Sequence, residues 1–293
     1  MELELKKECL DTYELGEPQT LTQEETAETI VPDYCPDIAR IISAEGVVCL
    51  HGGTEQDGVT GTVRVTVLYT PENESGVRAL EFAMPFSAQG EGLAGCAHVV
   101  VETEIELLES RMLNPRKIFT RCKLVTHLAG CRKVCLTISS DAETDPALLV
   151  EKRCCGQTVS LLRQVAEKDL TFSETMSLSL GREGAAELLH CRANGIVTET
   201  KAIGNKLIFK GVFLVSALYR TIGGQLASAS AELPFSQIME TDSTEENTQV
   251  SMRLRITGTD IQIDGSDDEG RQLSVTVYYH TMAFLRETPE VTL

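Results

Sequence analysis

Apolar residues recur at every second position over residues 63–69 of the segment GTVRVTVLY, which spans residues 61–69. The apolar positions are Val63, Val65, Val67 and Tyr69, and polar residues separate the first three. This period of two predicts a β-strand with one buried face. A polar stretch, TPENESGV, supplies residues typical of turns. A second apolar run then ends in Met-Pro-Phe-Ser at residues 84–87. We therefore predict a β-hairpin over residues 61–87.

The hairpin occurs a second time. GVFLVSALY at residues 211–219 is followed by a Gly-Gly turn and by a run that ends in Leu-Pro-Phe-Ser at residues 233–236. The shift between the copies is 150 at the start of the hairpin and 149 at its end. The matched residues are Gly61 and Gly211, Tyr69 and Tyr219, Pro85 and Pro234, and Phe86 and Phe235. A repeat of this length indicates a duplicated domain.

A short helix is expected ahead of each hairpin. Pro36 and Asp37 suit a first helical turn, where the missing amide of proline costs nothing. Ile38, Ile41 and Ile42 follow with helical spacing. Gly46 can end such a helix. Residues 187–189, which read ELL, are the expected counterpart in the second copy.

Further alternating runs at residues 98–108, 118–128, 250–257 and 273–284 predict more half-buried strands. The predicted fold is mainly β, with two tandem antiparallel β-sandwich-like domains that each carry one short helix. A polar bridge at residues 139–150 is the expected boundary, which gives domains of residues 1–145 and 146–293.

One strand face carries opposite charges in the two copies. A shift of 149 aligns Gly46 with Gly195, and it aligns Glu102, Glu104 and Glu106 with Ser251, Arg253 and Arg255. These faces could dock the copies of one chain together, or join the first copy of one chain to the second copy of the next in an open array. Two ordinary solvated faces are the alternative.

Charge and composition narrow the functional classes. The formal net charge of −18 disfavours binding to nucleic acid or to an anionic membrane. The start, MELELKK, has no secretory signal pattern, and no apolar run is long enough to span a bilayer. We expect a cytoplasmic protein without membrane insertion, whose 10 cysteines stay reduced. The vicinal Cys154 and Cys155 could cross-link in a late, oxidised envelope, although plain packing is the favoured interpretation.

No pattern of catalytic, metal or cofactor residues stands out. The acidic residues at 102–106 and 264–269 are expected on a solvated strand face and in a hairpin turn. The five histidines lack the spacing of a metal site, and no phosphate-binding loop or nucleophile elbow is present. Cys122 is the best formal nucleophile, but the alternation places its thiol in the core. We therefore expect no catalytic residue, metal or cofactor, and no enzyme activity.

The segment VPDYCPDIARIISAEG, at residues 31–46, resembles the start of the SPOCS domain. The resemblance continues with the GTVRVTVLY strand, the strand that ends in Pro-Phe, and an Asn-Pro-Arg-Lys turn. The residues that carry it are Pro32, Asp33, Pro36, Asp37, Ile38, Gly61, Tyr69, Pro85, Phe86, Asn114, Pro115 and Arg116, with Tyr219, Pro234 and Phe235 in the second copy. The first copy matches closely. The second copy lacks the Pro-Asp segment and the Asn-Pro-Arg-Lys turn.

The resemblance implies a role in spore-coat assembly in endospore-forming Firmicutes, as in the SipL type. In that type a LysM domain follows the SPOCS domains. The sequence leaves no room for one before Leu293, so glycan binding through LysM is not carried over. We expect a non-enzymatic structural or adaptor protein of the spore envelope, made in the mother-cell cytoplasm, with deposition on the spore surface as an option. Its expected partners are other spore-envelope assembly proteins, and a homo-oligomer is an option. The alternative is a glycan- or small-ligand-binding module with a site between the two domains.

Overall fold

The computed structural model describes residues 4–51, 58–143, 153, 155–178, 183–242, 244, 247–264 and 270–292. Within these residues every regular element is a β-strand, and every strand pair is antiparallel. The strands are β1 (Glu4–Leu15), β2 (Gln19–Ile30), β3 (Ile38–His51), β4 (Gly58–Pro71), β5 (Arg78–Gln89), β6 (His98–Asn114), β7 (Lys117–Glu143), β8 (Gly156–Thr158), β9 (Leu161–Ser177), β10 (Ala185–Ile203), β11 (Lys206–Thr221), β12 (Leu226–Glu240), β13 (Gln249–Ile263), β14 (Gln272–Glu287) and β15 (Glu290–Thr292). The predicted antiparallel β architecture is confirmed.

The first half of the chain, which contains β1–β7, has two sheets around one core. Strands β3, β4 and β5 form one sheet, and β7 pairs with β1, β2 and β6 in the other. The core between them is built from the inward faces of β4 and β7, with Val63, Val65, Val67, Tyr69, Ile118, Cys122, Leu124 and Leu128 among its buried residues. The alternation of β4 therefore has the buried face that its sequence predicts.

The second half, which contains β8–β15, repeats this pairing. Strands β10, β11 and β12 form a three-stranded sheet, and β14 lies between β13 and β9 in another. The core again combines the middle strands of both sheets, with Phe213, Val215, Ala217, Tyr219, Leu273, Val275, Val277 and Tyr279. The short strands β8 and β15 pair with each other.

Both predicted short helices are wrong, because the segments are the bulged starts of β3 and β10. In β3 the register against β4 shifts between Ile38 and Arg40, and again between Ile41 and Ser43. Each bulge inserts one extra residue. The core-facing residues Ile38, Ile41 and Ala44 therefore recur every three positions instead of every two. That spacing imitates part of a helical pattern.

Strand β10 has bulges at the corresponding places, and its core-facing residues are Ala185, Leu188 and Cys191. Ile41 lies opposite Tyr69 in β4, and Leu188 lies opposite Tyr219 in β11. Because the two tyrosines are equivalent, β3 and β10 correspond at an offset of 147. The offset of 149 that aligns the glycines of these strands is therefore out of register by two residues.

The charged strands correspond at yet another offset. A bulge follows Ile105 in β6 and Ile256 in β13, which gives an offset of 151. The expected outward faces are retained because the correction from 149 is an even number. The equivalent charged residues are Glu102 with Arg253 and Glu104 with Arg255.

The two halves pack against each other through a third apolar cluster. Its buried residues are Val100, Ala129, Cys131, Leu162, Val165, Met282 and Phe284. Strand β1 adds to this contact, because Thr12 Oγ1 donates to the Leu162 carbonyl at 3.2 Å. Nη1 of Arg163 donates in the other direction, to the carbonyl of Asp11 at 2.7 Å. The predicted boundary between residues 145 and 146 lies outside the described residues.

The expectation that all cysteines stay reduced is not met at one pair. Cys9 in β1 and Cys135 in β7 form a disulfide, with Cα atoms 5.6 Å apart. Both residues are exposed. Of the vicinal pair, Cys155 is a free, exposed thiol, and Cys154 lies outside the described residues.

Candidate interaction site

Arg116 ties together two segments that are distant in sequence. It lies in the turn between β6 and β7, and its guanidinium reaches the connection between β2 and β3. Nη1 donates to the Cys35 carbonyl at 2.8 Å and to Asp37 Oδ1 at 3.0 Å. Nη2 donates to the Val31 carbonyl and to Asp33 Oδ1, both at 2.9 Å. We call Arg116 with these four partners the Arg116 clamp.

Main-chain hydrogen bonds fix the same connection. The amide of Val31 donates to the Arg116 carbonyl, and the amide of Ile38 donates to the Pro115 carbonyl, both at 2.9 Å. Asn114 Oδ1 accepts the Arg116 amide at 2.9 Å, which orders the turn that carries the guanidinium. The two polar motifs of the SPOCS resemblance are thus one structural unit.

The connection held by the clamp presents an exposed aromatic side chain. The Cys35 amide donates to the Pro32 carbonyl at 2.9 Å and closes a β-turn. Tyr69 Oη donates to the Pro36 carbonyl at 3.3 Å, so the buried tyrosine of β4 supports the turn from below. Tyr34, inside the turn, is 89% exposed. An aromatic residue on a pre-ordered turn loses little entropy on binding, which makes Tyr34 a candidate contact residue.

The second half keeps the main-chain part of this arrangement. The amide of Leu178 donates to the Arg271 carbonyl, and the amide of Ala185 donates to the Gly270 carbonyl, both at 2.7 Å. Arg271 therefore stands where Arg116 stands in the first half. The sequence does not reveal this equivalence, because eight residues separate β13 from β14, whereas two separate β6 from β7. Tyr219 Oη, unlike that of Tyr69, is buried with no hydrogen-bond partner in the described part of the chain.

The charged faces of β6 and β13 meet within the chain at one ion pair. Nη1 of Arg253 lies 3.5 Å from Oε2 of Glu102. Nη1 of Arg255 donates to the Val101 carbonyl at 3.4 Å. Burial lowers the pKa of Arg255, with Asp169 and then Glu167 acting in the opposite direction. The pair of Arg253 and Glu102 is more than half exposed, so it contributes about 1 kcal/mol at most.

The other two glutamates of the predicted face lie elsewhere. Glu106 Oε2 is 2.9 Å from Lys123 Nζ on β7, within the first half. Glu104 is exposed on β6. A role of these charged residues in binding another protein stays a prediction.

Several motif residues serve the packing of the sheets. A Cβ on Gly61 would lie 2.6 Å from the ring of Phe86, and one on Gly211 would lie 2.5 Å from the ring of Phe235. Each glycine therefore lets an aromatic ring of the next strand lie across the middle strand. The prolines that precede these rings lie in β5 and β12, which are the outer strands of their sheets, where a missing amide is tolerated.

A cleft of about 630 Å³ lies between the outer face of β3–β4–β5 and the second half, beside the direct contacts that join them. Glu45 and Arg64 line it from the first half, and Leu189, His190 and Asp260 line it from the second. Nε2 of His190 lies 3.0 Å from Oε2 of Glu45. The volume is within the range of small-ligand sites, although much of the lining is polar.

The candidate nucleophile is a core residue, as expected. Cys122 is fully buried, and burial followed by the charge of Glu25 raises the pKa of its thiol to about 11. Burial and Glu81 raise the pKa of Cys191 to about 12. Both thiols are thus protonated at neutral pH, which suits packing and not nucleophilic attack.

The described residues contain no group of three or more His, Cys, Asp or Glu side chains that could hold a metal ion. Two histidines instead pair with carboxylates between strands: His98 Nδ1 lies 2.6 Å from Glu167 Oε1, and His280 Nδ1 lies 2.8 Å from Asp169 Oδ1. His51 and His127 contact the hydroxyls of Thr62 and Thr20. The acidic turn at residues 265–269 is outside the described part. In the same part of the chain, no helix has the length and apolarity needed to cross a membrane.

Comparison with known families adds one decisive observation. Residues 185–264 match the family model described as SipL, SPOCS domain. The chain contains a SPOCS domain. The match covers β10–β13, whereas the sequence motifs that suggested the family lie mainly in the first half. No curated protein and no solved structure gives a match. The SPOCS domain points to a role in sporulation, in the assembly of the spore coat or envelope.

Proposed function

We propose that this protein is a non-enzymatic structural or adaptor protein of spore-envelope assembly, which acts through protein–protein contacts. The observation that carries the proposal is the SPOCS match over residues 185–264. Two further points support it. The described sheets end in edge strands such as β5 and β12, and an edge strand can add a strand of another protein. The repeated strand pairing of the first half is consistent with a second SPOCS-like domain.

The proposed site of synthesis is the mother-cell cytoplasm, and the proposed partners are other spore-envelope proteins. Tyr34, on the turn of the Arg116 clamp, is the side chain that we assign to the first contact with such a partner. The turn is ordered before binding, so the tyrosine can be buried at an interface without a further cost of ordering the main chain.

The test is the location of a fluorescent fusion during sporulation. We expect the wild-type fusion to encircle the forespore and the Tyr34→Ala fusion to stay diffuse at the same protein level. Tyr278→Ala is the matched control, because Tyr278 is also a partly exposed tyrosine, at 45%, but lies on β14. A wild-type fusion spread through vegetative cells, with no enrichment at the forespore, would contradict the proposal.

The cleft supports a second candidate function, the binding of a glycan or other small ligand between the two halves. Its lining from both halves and its volume of about 630 Å³ are the observations in its favour. Titration calorimetry with cell-wall glycan fragments tests it. If binding occurs, Arg64→Ala should abolish it, since Arg64 lines the cleft. Absence of heat with every fragment would remove this candidate.

A further inference from the structure

The second bulge of β10 places a leucine between the two halves. Leu189 is the extra residue between Leu188 and His190, and only 1% of its surface is accessible. It belongs to the core cluster of neither half. Instead it lines the cleft together with Val47 and Arg64, which point outward from the first sheet. Leu189 is thus an apolar anchor of one half against the other.

Polar contacts surround this anchor. Oε2 of Glu187 accepts from Nη1 of Arg78 at 3.2 Å, which links the start of β10 to β5. Nη1 of Arg64, on the outer face of β4, donates to the carbonyl of Thr259 in β13 at 2.9 Å. The bulge and the neighbouring edge of the second half therefore dock on the outer face of β3–β4–β5. We call this the bulge-on-sheet contact.

Each chain also carries both components of this contact in an uncovered form. Ile42 is the extra residue of the second bulge in β3, so it is the equivalent of Leu189, but 51% of it is exposed. The outer face of β10–β11–β12 is the equivalent of the face that Leu189 covers. It exposes Ile196 (47%) and Leu214 (37%). Leu214 occupies the position equivalent to Arg64.

We propose that Ile42 of one chain packs on the outer face of β10–β11–β12 of a second copy, in a bulge-on-sheet contact between molecules. The reason is that these two surfaces are the equivalents of the bulge and the sheet face that already form this contact inside the chain. One chain holds one complete contact, with an open bulge in its first half and an open sheet face in its second. An interface between two different surfaces of identical molecules is heterologous, and it produces open arrays when the rotation does not close.

The contact between chains is weaker than the one within a chain. The third apolar cluster, which also joins the halves, is already closed inside each molecule. The intermolecular contact therefore uses the bulge and the sheet face alone, and association depends on protein concentration. The inference goes beyond the proposed function, because it needs no other spore protein.

The test is sedimentation velocity of the purified full chain over a range of concentrations. Wild-type protein is expected to form a concentration-dependent series of oligomers. Ile42→Glu and Leu214→Glu should each remove the series, because each blocks one component of the interface. The expected effect is a fall of at least about tenfold in the association constant, which corresponds to the loss of one buried apolar anchor. Ile222→Glu is the control, since Ile222 is 64% exposed but lies in the turn after β11.

Mixing the two variants distinguishes this interface from others. An equal mixture of Ile42→Glu and Leu214→Glu retains one intact bulge and one intact sheet face, so it should form heterodimers and nothing larger. A wild-type monomer at all concentrations, oligomers that persist in either variant, or a mixture that stays monomeric would each overturn the proposal. Circular dichroism verifies that each variant is folded. If a glutamate variant does not fold, the serine variant at the same position is tested instead. Because the assay contains no other protein, its outcome is independent of the forespore experiment.

Discussion

Removal of the Arg116 side chain should loosen the connection between β2 and β3 and destabilise the first half. The guanidinium makes four hydrogen bonds, two of them to the main-chain carbonyls of Val31 and Cys35. Within the described residues, no other side chain donates to these carbonyls. In Arg116→Ala, these two carbonyls can therefore accept replacement hydrogen bonds only from water that reaches them.

The size of the effect follows from the exposure of each partner. A hydrogen bond from a charged donor contributes about 1.5–3 kcal/mol, and an exposed ion pair about 1 kcal/mol or less. Asp33 is fully exposed, so we assign its contact with Arg116 no contribution to the free energy of unfolding. The Arg116 side chain is 33% exposed, which lets water replace part of the bonds to the carbonyls. The expected loss is about 3 kcal/mol in the free energy of unfolding.

Urea unfolding followed by far-ultraviolet circular dichroism measures this loss, since the chain has no tryptophan. Hydrogen exchange then locates it. The Cys35 amide donates to the Pro32 carbonyl, and the Ile38 amide donates to the Pro115 carbonyl. Both amides should exchange faster in Arg116→Ala than in wild-type protein. Arg116→Lys should recover part of the stability, because one ammonium cannot span four acceptors.

Arg121→Ala is the matched control. Nη2 of Arg121 lies 2.6 Å from Glu24 Oε2 on the neighbouring strand, but both side chains are more than 40% exposed. This substitution should leave stability and exchange unchanged. If Arg116→Ala stays within about 0.5 kcal/mol of wild type and the two amides keep their protection, the clamp does not order the turn and the reasoning fails.

Three further predictions concern packing, thiol chemistry and the disulfide. Gly61→Ala should lower the free energy of unfolding in urea by about 2–4 kcal/mol, because its Cβ would lie 2.8 Å from a main-chain carbonyl. Gly258→Ala, whose Cβ has its nearest contact at 3.5 Å, should be near neutral. Equal effects of the two substitutions would contradict the packing argument. Burial raises the pKa of Cys191 to about 12, so its thiol should resist iodoacetamide at pH 8 in the native state and react once the protein is unfolded. The thiol ionises at lower pH in the unfolded state than in the native state. The contribution of Cys191 to stability is therefore full below about pH 8.5 and falls as the pH rises towards 12. Fast native alkylation would refute this. Non-reducing peptide mapping of protein oxidised with glutathione disulfide should recover a peptide that joins Cys9 to Cys135, and free thiols at both positions would show that the pair does not form.

The sequence predicts the middle strands of the sheets well, because their pattern has a period of two with nothing inserted. Val63, Val65 and Val67 are buried as the alternation requires. The sequence wrongly predicts helices at the starts of β3 and β10, because two bulges stretch the spacing of inward residues from two to three. No local pattern distinguishes that spacing from one face of a short helix. The pairing with the next strand decides it, and pairing is a property of the whole sheet.

The candidate site was visible only in part. The Pro-Asp segment and the Asn-Pro-Arg turn could be recognised as motifs, but the sequence does not show that Arg116 reaches Asp33 and Asp37 across about 80 residues. The sequence also does not predict that Leu189 is buried and that Ile42 is exposed. Both are apolar residues in similar surroundings along the chain, and their difference arises from how the two halves dock.

The period of two along each strand limits how the two halves could diverge in length. An inserted residue in a regular strand would turn every following side chain to the opposite face, so a duplicated sheet tolerates insertions only where the register can absorb them. The offset between equivalent residues is 147 in β3, 150 in β4 and 151 in β6. Every change falls in a connection or, in the case of Thr198, in an additional bulge of β10. The connections and the bulge at Thr198 thus mark where one copy could lengthen while both cores stayed closed, and the bulges shared by β3 and β10 add no difference in length.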